Sequence, residues 1–188
     1  MIENWVEPQH LTKSSIDEYR KLFVDHDVPA LRISNFLKPD VAEGLYGFCK
    51  NDANWTVKSL SLRKQAKVSE EVWKNAAEED RFYSMWNLNP DQIAKKGSGL
   101  NLFKHLMSDL RNDQSMAGWF ASISGLPLIK GASVSAKAFA ANDFLGPHND
   151  RTSDRRLAFI FYLSKDWDPS YGGGLYMRKE GNEEVFFE

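Results

Sequence analysis

Apolar residues in the first two thirds of the chain recur mostly at intervals of three and four, the spacing of one face of an α-helix. Ile16, Tyr19 and Phe23 follow it behind Ser14, a capping residue, with Asp17 placed to complete a capping box. Residues 30–36 read as a short strand, and Pro39 then opens a helix carrying Val41, Leu45 and Phe48 on one face. Residues 55–60 predict a second strand. Ser69 starts a short helix with Glu70 and Glu71 in its first turn, where carboxylates are favoured. The aromatic-rich stretch 81–88 reads as a strand, and Asn89-Pro90 and Gly97-Ser98-Gly99 then punctuate the chain. Leu100, Phe103, Met107 and Leu110 form the next helical stripe. Asp113 caps a last helix bearing Met116, Phe120 and Ile123, stopped by Gly125 and Pro127.

From Ser133 onward the period shortens to two. Val134, Ala136, Ala138 and Ala140 alternate with Ser135, Lys137 and Phe139, and residues 157–163 are a continuous apolar run of the kind a buried strand presents. Residues 174–178 and 184–187 predict two further short strands. Helices first and consecutive strands afterwards suggest an α+β fold, a sheet or barrel braced by a helical layer. The division read from this pattern is a helix-rich support over 1–130 and a β-rich core over 131–188, without internal repeats or low-complexity segments.

Composition narrows the class. A chain of 188 residues is long enough for one domain with a real core, and 42% hydrophobic with 27% charged residues is ordinary for a soluble protein. A net charge of −2 argues against a general nucleic-acid partner. Lys58, Arg63, Lys64 and Lys67 form a basic cluster that reads as a solvated face or, failing that, a substrate contact. Cys49 is the only cysteine, so no internal disulfide can form, and it reads as a small core residue rather than a reactive thiol. The first residues lack the basic-then-apolar order of a signal peptide, and no apolar run is long enough for a membrane span. These features predict a cytoplasmic protein, and they leave its oligomeric state open.

The chemistry concentrates at His148-Asn149-Asp150. An imidazole and a carboxylate two residues apart share one face of an extended chain, and they are two of the three ligands of a facial triad for a redox iron. Gly146-Pro147 just before them can turn the chain and aim the pair. Downstream come Arg155-Arg156, Phe161-Tyr162-Leu163, Trp167 and the run Gly172-Gly173-Gly174-Leu175, and upstream lies Leu31-Arg32-Ile33-Ser34-Asn35-Phe36-Leu37. In this order and spacing the chain resembles the iron- and 2-oxoglutarate-dependent prolyl hydroxylases, the prolyl 4-hydroxylase-like group that includes oxygen-sensing and ribosomal-protein enzymes.

The resemblance implies a double-stranded β-helix (jelly roll) with N-terminal helical support. It implies that His148 and Asp150 are the first two iron(II) ligands and that Tyr162 holds the distal carboxylate of 2-oxoglutarate, although Tyr162 also reads as a core aromatic. Arg155 or Arg156 either meets an anion or is solvated. Trp167 and the glycines read as a structural turn. The family's second histidine and its basic co-substrate ligand fall beyond Glu188 in this pattern, so the barrel is expected to be incomplete in this sequence. His10, His26 and His105 are poor substitutes, His105 because it lies off the apolar stripe of its helix. The implied reaction uses dioxygen to decarboxylate 2-oxoglutarate to succinate and hydroxylates an unactivated C–H bond, with ascorbate as an accessory reductant. A carboxylate at Asp150 favours hydroxylation over halogenation. A prolyl residue in a protein or a small amino-acid-like metabolite is the expected substrate. Residues 82–86 and Phe144 line its entrance or pack in the core. A catalytically inactive binding module and a non-oxygenase jelly roll remain as alternatives.

Overall fold

A computed structural model describes residues 1–25, 30–55, 57–65, 67–88, 98–128, 133–150, 155–178 and 184–187. The chain divides into two compact units, each assembled from separate segments. One is helical, formed by Met1–Cys49, Gly97–Val134 and Arg156–Glu188. The other, formed by Lys50–Lys96 and Ser135–Arg155, carries an antiparallel sheet that is not closed, so the fold is α+β.

The helical unit contains α1 (Lys13–Asp25) and α2 (Pro39–Gly47), then α4 (Ser98–Asn112) and α5 (Gln114–Ser124). Asp113 caps α5 as its position suggests, its carboxylate accepting from the Ser115 amide at 2.7 Å. Gly125 ends that helix in the left-handed region with φ 70°, donating its amide to the Ala121 carbonyl. The start of α1 differs from expectation. Thr12, not Ser14, caps it through a bond from the Ser15 amide, and Asp17 instead pairs with Lys13 at 2.7 Å. Apolar stripes of α2, α4 and α5 meet Ile2, Trp5, Val6 and Leu37 in one core, where Val6, Leu45 and Met116 are essentially inaccessible. Residues 30–36 are not a strand; only Leu37 makes a bridge, to Val6.

Segment 157–163 also departs from expectation. Leu157, Phe159, Phe161 and Leu163 are half-buried, whereas Ala158, Ile160 and Tyr162 are exposed. Phe159 stacks on Phe120 and Phe161 on Phe36. The side-chain period is therefore that of a strand with one covered face, but among the described residues no neighbouring strand pairs with it. The strands β5 (Leu175–Arg178) and β6 (Glu184–Phe187) pair antiparallel with each other. Before them, Trp167 Nε1 donates to the Gly172 carbonyl at 3.0 Å, and Gly172 and Gly173 both take positive φ, as the glycine run suggests.

In the sheet unit, β1 (Val57–Leu62) pairs antiparallel with β2 (Arg81–Asn87). β2 also carries two short strands on its other edge. β3 (Lys137–Ala138) lies against Trp86 and Asn87, and β4 (Phe144–Leu145) against Tyr83 and Ser84. Only two residues of the predicted 134–140 strand join the ladder, with Leu88 reaching the Ala136 carbonyl just outside it. Helix α3 (Glu70–Asn75) starts at Ser69, whose hydroxyl accepts from the Val72 amide, and its Trp73 packs on Phe144. Among the described residues no helix is long and apolar enough to cross a membrane.

Candidate functional site

Three groups place the loop that carries His148 and Asp150, all within the sheet unit. The first is Asp143, whose side chain is only 1% exposed. Its carboxylate accepts from the Ser84 hydroxyl, from the Ala140 amide at 2.9 Å and from Lys58 at 3.0 Å. With the Asp143 amide bonded back to the Ala140 carbonyl, the β3–β4 turn is closed on both sides. Burial alone would raise this carboxyl's pKa, but the Ser84, Ala140 and Lys58 interactions outweigh it and hold the group below its ordinary value. Asp143 is not singled out by pattern; Asn142-Asp143 signals only a turn.

The second is Gly146, which is buried and donates its amide to the Phe82 carbonyl at 2.7 Å. A Cβ here would stand 2.9 Å from that same carbonyl oxygen, so only glycine allows so close an approach of the two backbones. The third is the Phe82 ring, which meets the His148 imidazole edge-on with centroids 6.2 Å apart.

The loop thereby presents His148 in a defined orientation. Its Nδ1 lies 2.9 Å from the Gly146 carbonyl, an atom that can only accept, so Nδ1 carries the proton. In the neutral ring the Nε2 lone pair then points outward, and Nε2 lies 3.4 Å from Asp150 Oδ1. Two electron-rich atoms facing each other at that distance attract only with a positive charge shared between them, either a proton or a metal ion. Donors about 2.1 Å from a common ion and at roughly a right angle lie about 3 Å apart, so the pair fits two adjacent positions of a coordination shell. The Nδ1–carbonyl bond is the outer-shell support that such a ligand normally has. Asp150 sits at φ 52°, a left-handed conformation uncommon outside glycine, asparagine and aspartate. Arg155 Nη1 reaches the same Asp150 Oδ1 at 2.5 Å, so the arginine meets a protein anion. All three side chains are between a third and a half exposed.

Among the described residues no group of three histidine, cysteine, aspartate or glutamate side chains converges in metal-binding geometry. His105 is exposed on α4, as expected, and His26 lies outside the described residues. His10 corrects its polar setting in the sequence: it is 5% exposed in the helical unit, held by Tyr19 at 2.6 Å and the Asn35 carbonyl at 3.0 Å. Trp119 donates to the His10 carbonyl, so this histidine serves the core. Tyr162 also belongs to the helical unit, where its side chain is 65% exposed rather than enclosed and partial desolvation raises its phenol pKa. Cys49 is half-buried, and burial pushes its thiol up, as befits an unreactive residue. Of the aromatic stretch, Met85 and Ser84 are buried, Phe82, Tyr83 and Trp86 half-buried, and Phe144 is 38% exposed.

Two curated relatives share local similarity with the chain. Prolyl 3-hydroxylase OGFOD1 of Xenopus laevis is 33% identical over 82 residues, covering 43% of this chain and 15% of that protein. The Mus musculus prolyl 3-hydroxylase OGFOD1 is 34% identical over 62 residues, covering 33% of this chain and 11% of that protein. The similarity thus spans less than a sixth of either relative. No solved structure matches the chain. The family described as oxoglutarate and iron-dependent oxygenase degradation C-term matches residues 1–186, nearly the whole sequence, and the chain belongs to that family.

Proposed function

We propose that this chain is part of an iron(II)- and 2-oxoglutarate-dependent hydroxylase acting on an unactivated C–H bond, with a prolyl residue as the favoured substrate. One observation carries the reading: His148 Nε2 and Asp150 Oδ1 stand 3.4 Å apart, and the Nδ1 bond to Gly146 leaves Nε2 free to ligate. In this reading His148 and Asp150 hold the iron, which when bound supplies the oxidising chemistry. Gly146 orients the imidazole, Phe82 excludes water from one side of it, and Arg155 leaves Asp150 to meet an incoming carboxylate. Tyr162 remains a proposed contact to the far carboxylate of 2-oxoglutarate. Residues 131–188 would contribute the first strands of a jelly roll and residues 1–130 its support. The names of the relatives favour C3 over C4 of the proline ring.

A second reading has its own support. The family's description names a C-terminal part of an oxygenase, and Arg155 already neutralises Asp150. On those grounds the chain would be a binding module in which His148, Asp150 and Arg155 form an internal ion cluster. Titration with cobalt(II), followed by its visible absorption, separates the two. The hydroxylase reading expects saturable binding that His148→Ala and Asp150→Ala abolish, with succinate release from 2-oxoglutarate lost in the same variants. Turnover retained in His148→Ala would sink it.

A further inference from the structure

The basic cluster of residues 58–67 divides into groups with different fates. Lys58 is engaged by Asp143 and lies over Trp86, and Arg63 donates to the Glu79 carbonyl while covering Phe82. Lys67 is exposed and, like Lys137 on β3, has no ion-pair partner among the described residues. The two converge on one cavity of about 340 Å³ in the sheet unit, lined by Ser59, Lys67, Tyr83, Met85, Asn87 and Lys137.

The register explains the convergence. Tyr83, Met85 and Asn87 alternate along β2 and so share one face, with Ser59 opposite Met85 and Lys137 opposite Asn87. Lys67 arrives from the turn after β1, which folds back through the Val68 amide to the Leu60 carbonyl. Asn87 Nδ2 donates to Ser59 Oγ at 2.7 Å, leaving the serine proton free to donate in turn. The Tyr83 hydroxyl has no hydrogen-bond partner among the described residues. The described lining therefore holds two cations that are unpaired among the described residues, together with neutral hydrogen-bonding groups and no carboxylate.

We propose that this cavity binds a short dicarboxylate, separately from the His148–Asp150 site. The cations enter from opposite flanks of β2, Lys67 from the turn after β1 and Lys137 from β3. A ligand with charges at both ends and methylenes between them matches this layout, with the Met85 side chain and Tyr83 ring beneath the methylenes. A compact tetrahedral anion would satisfy one end only.

The test is calorimetric titration of the protein with glutarate in the presence of a chelator and at fixed ionic strength, with inorganic phosphate as the competing anion. Saturable binding is expected. Lys67→Gln and Lys137→Gln should each weaken it by about tenfold, and the pair should abolish it while the thermal transition is retained. His148→Ala should bind glutarate as the wild type does, so failure of the iron reading leaves this one standing. Absence of saturable binding, unchanged affinity in the double variant, phosphate binding as tight as glutarate, or loss of binding in His148→Ala would each overturn the proposal.

Discussion

Asp143 is the test of how the sheet unit holds its site. Replacing it with alanine removes the acceptor for the Ser84 hydroxyl, the Ala140 amide and the Lys58 ammonium together. Ser84 is 3% exposed, so its hydroxyl is left without water; Lys58 is 40% exposed and rehydrates, so its share must be discounted. The expected local cost is about 3 kcal/mol, most of it from the buried Ser84 hydroxyl left unsatisfied, with smaller shares from the exposed Ala140 amide and the weakened ion pair, both of which rehydrate. Because the two units need not unfold together, the appropriate measurement is amide hydrogen exchange at β2 and β3. A loss of about 3 kcal/mol there speeds exchange by roughly a hundredfold. Asp143→Asn keeps an acceptor but no charge and should show a smaller loss.

The pH dependence adds a second arm. The folded carboxyl titrates below its ordinary value of 3.8, so its stabilisation is fully present above that value and is lost as pH falls through the lower folded pKa. The gap between wild type and Asp143→Asn should therefore be constant from neutrality down to pH 3.8 and close below it. Exchange in Asp143→Ala within about threefold of wild type, or a gap that closes near neutrality, would refute the account of a buried, charge-bearing anchor.

Other perturbations probe the neighbouring contacts. Gly146→Ala places a methyl 2.9 Å from the Phe82 carbonyl, and backbone must move; a loss of about 2 kcal/mol in chemical denaturation is expected, together with weaker cobalt(II) binding. Arg155→Ala frees Asp150 Oδ1 from a 2.5 Å contact, so cobalt(II) should bind several-fold more tightly; weaker binding would show that the arginine supports the metal site instead of competing with it. In the helical unit, Trp119→Phe deletes the donor to the His10 carbonyl and should cost about 1–2 kcal/mol, read from the shift in urea midpoint.

The local signals that the sequence states most clearly are those enforced by neighbouring residues. Caps at Ser69 and Asp113, the stop at Gly125 and the positive φ of Gly172 and Gly173 depend on a few adjacent backbone groups, so residue type and spacing suffice to read them. The stripe of α2 was likewise legible, and those of α4 and α5 in part, with Leu106 taking the place of Met107 in the core and Trp119 joining Met116 and Ile123; a helix satisfies its own hydrogen bonds wherever its apolar face finally docks. Strands behave differently. Segment 157–163 has the side-chain period of a strand, but a ladder needs a second segment, and no pattern within those residues can supply one. The same reason limits 134–140 to the two residues that face β2.

The site divides along the same line. His148-Asn149-Asp150 and its surroundings pointed to a family and to two candidate ligands, and residue types alone carried that much. Only the tertiary structure brought Gly146 against Phe82, fixed the imidazole proton on Nδ1, turned Nε2 toward Asp150 and set Arg155 on the same carboxylate. It also made Asp143 an anchor and His10 a core residue, roles that depend on partners 59 and 25 residues away in sequence. Such long-range pairings leave no periodic trace in the chain, since what selects each residue is the single group it meets after folding.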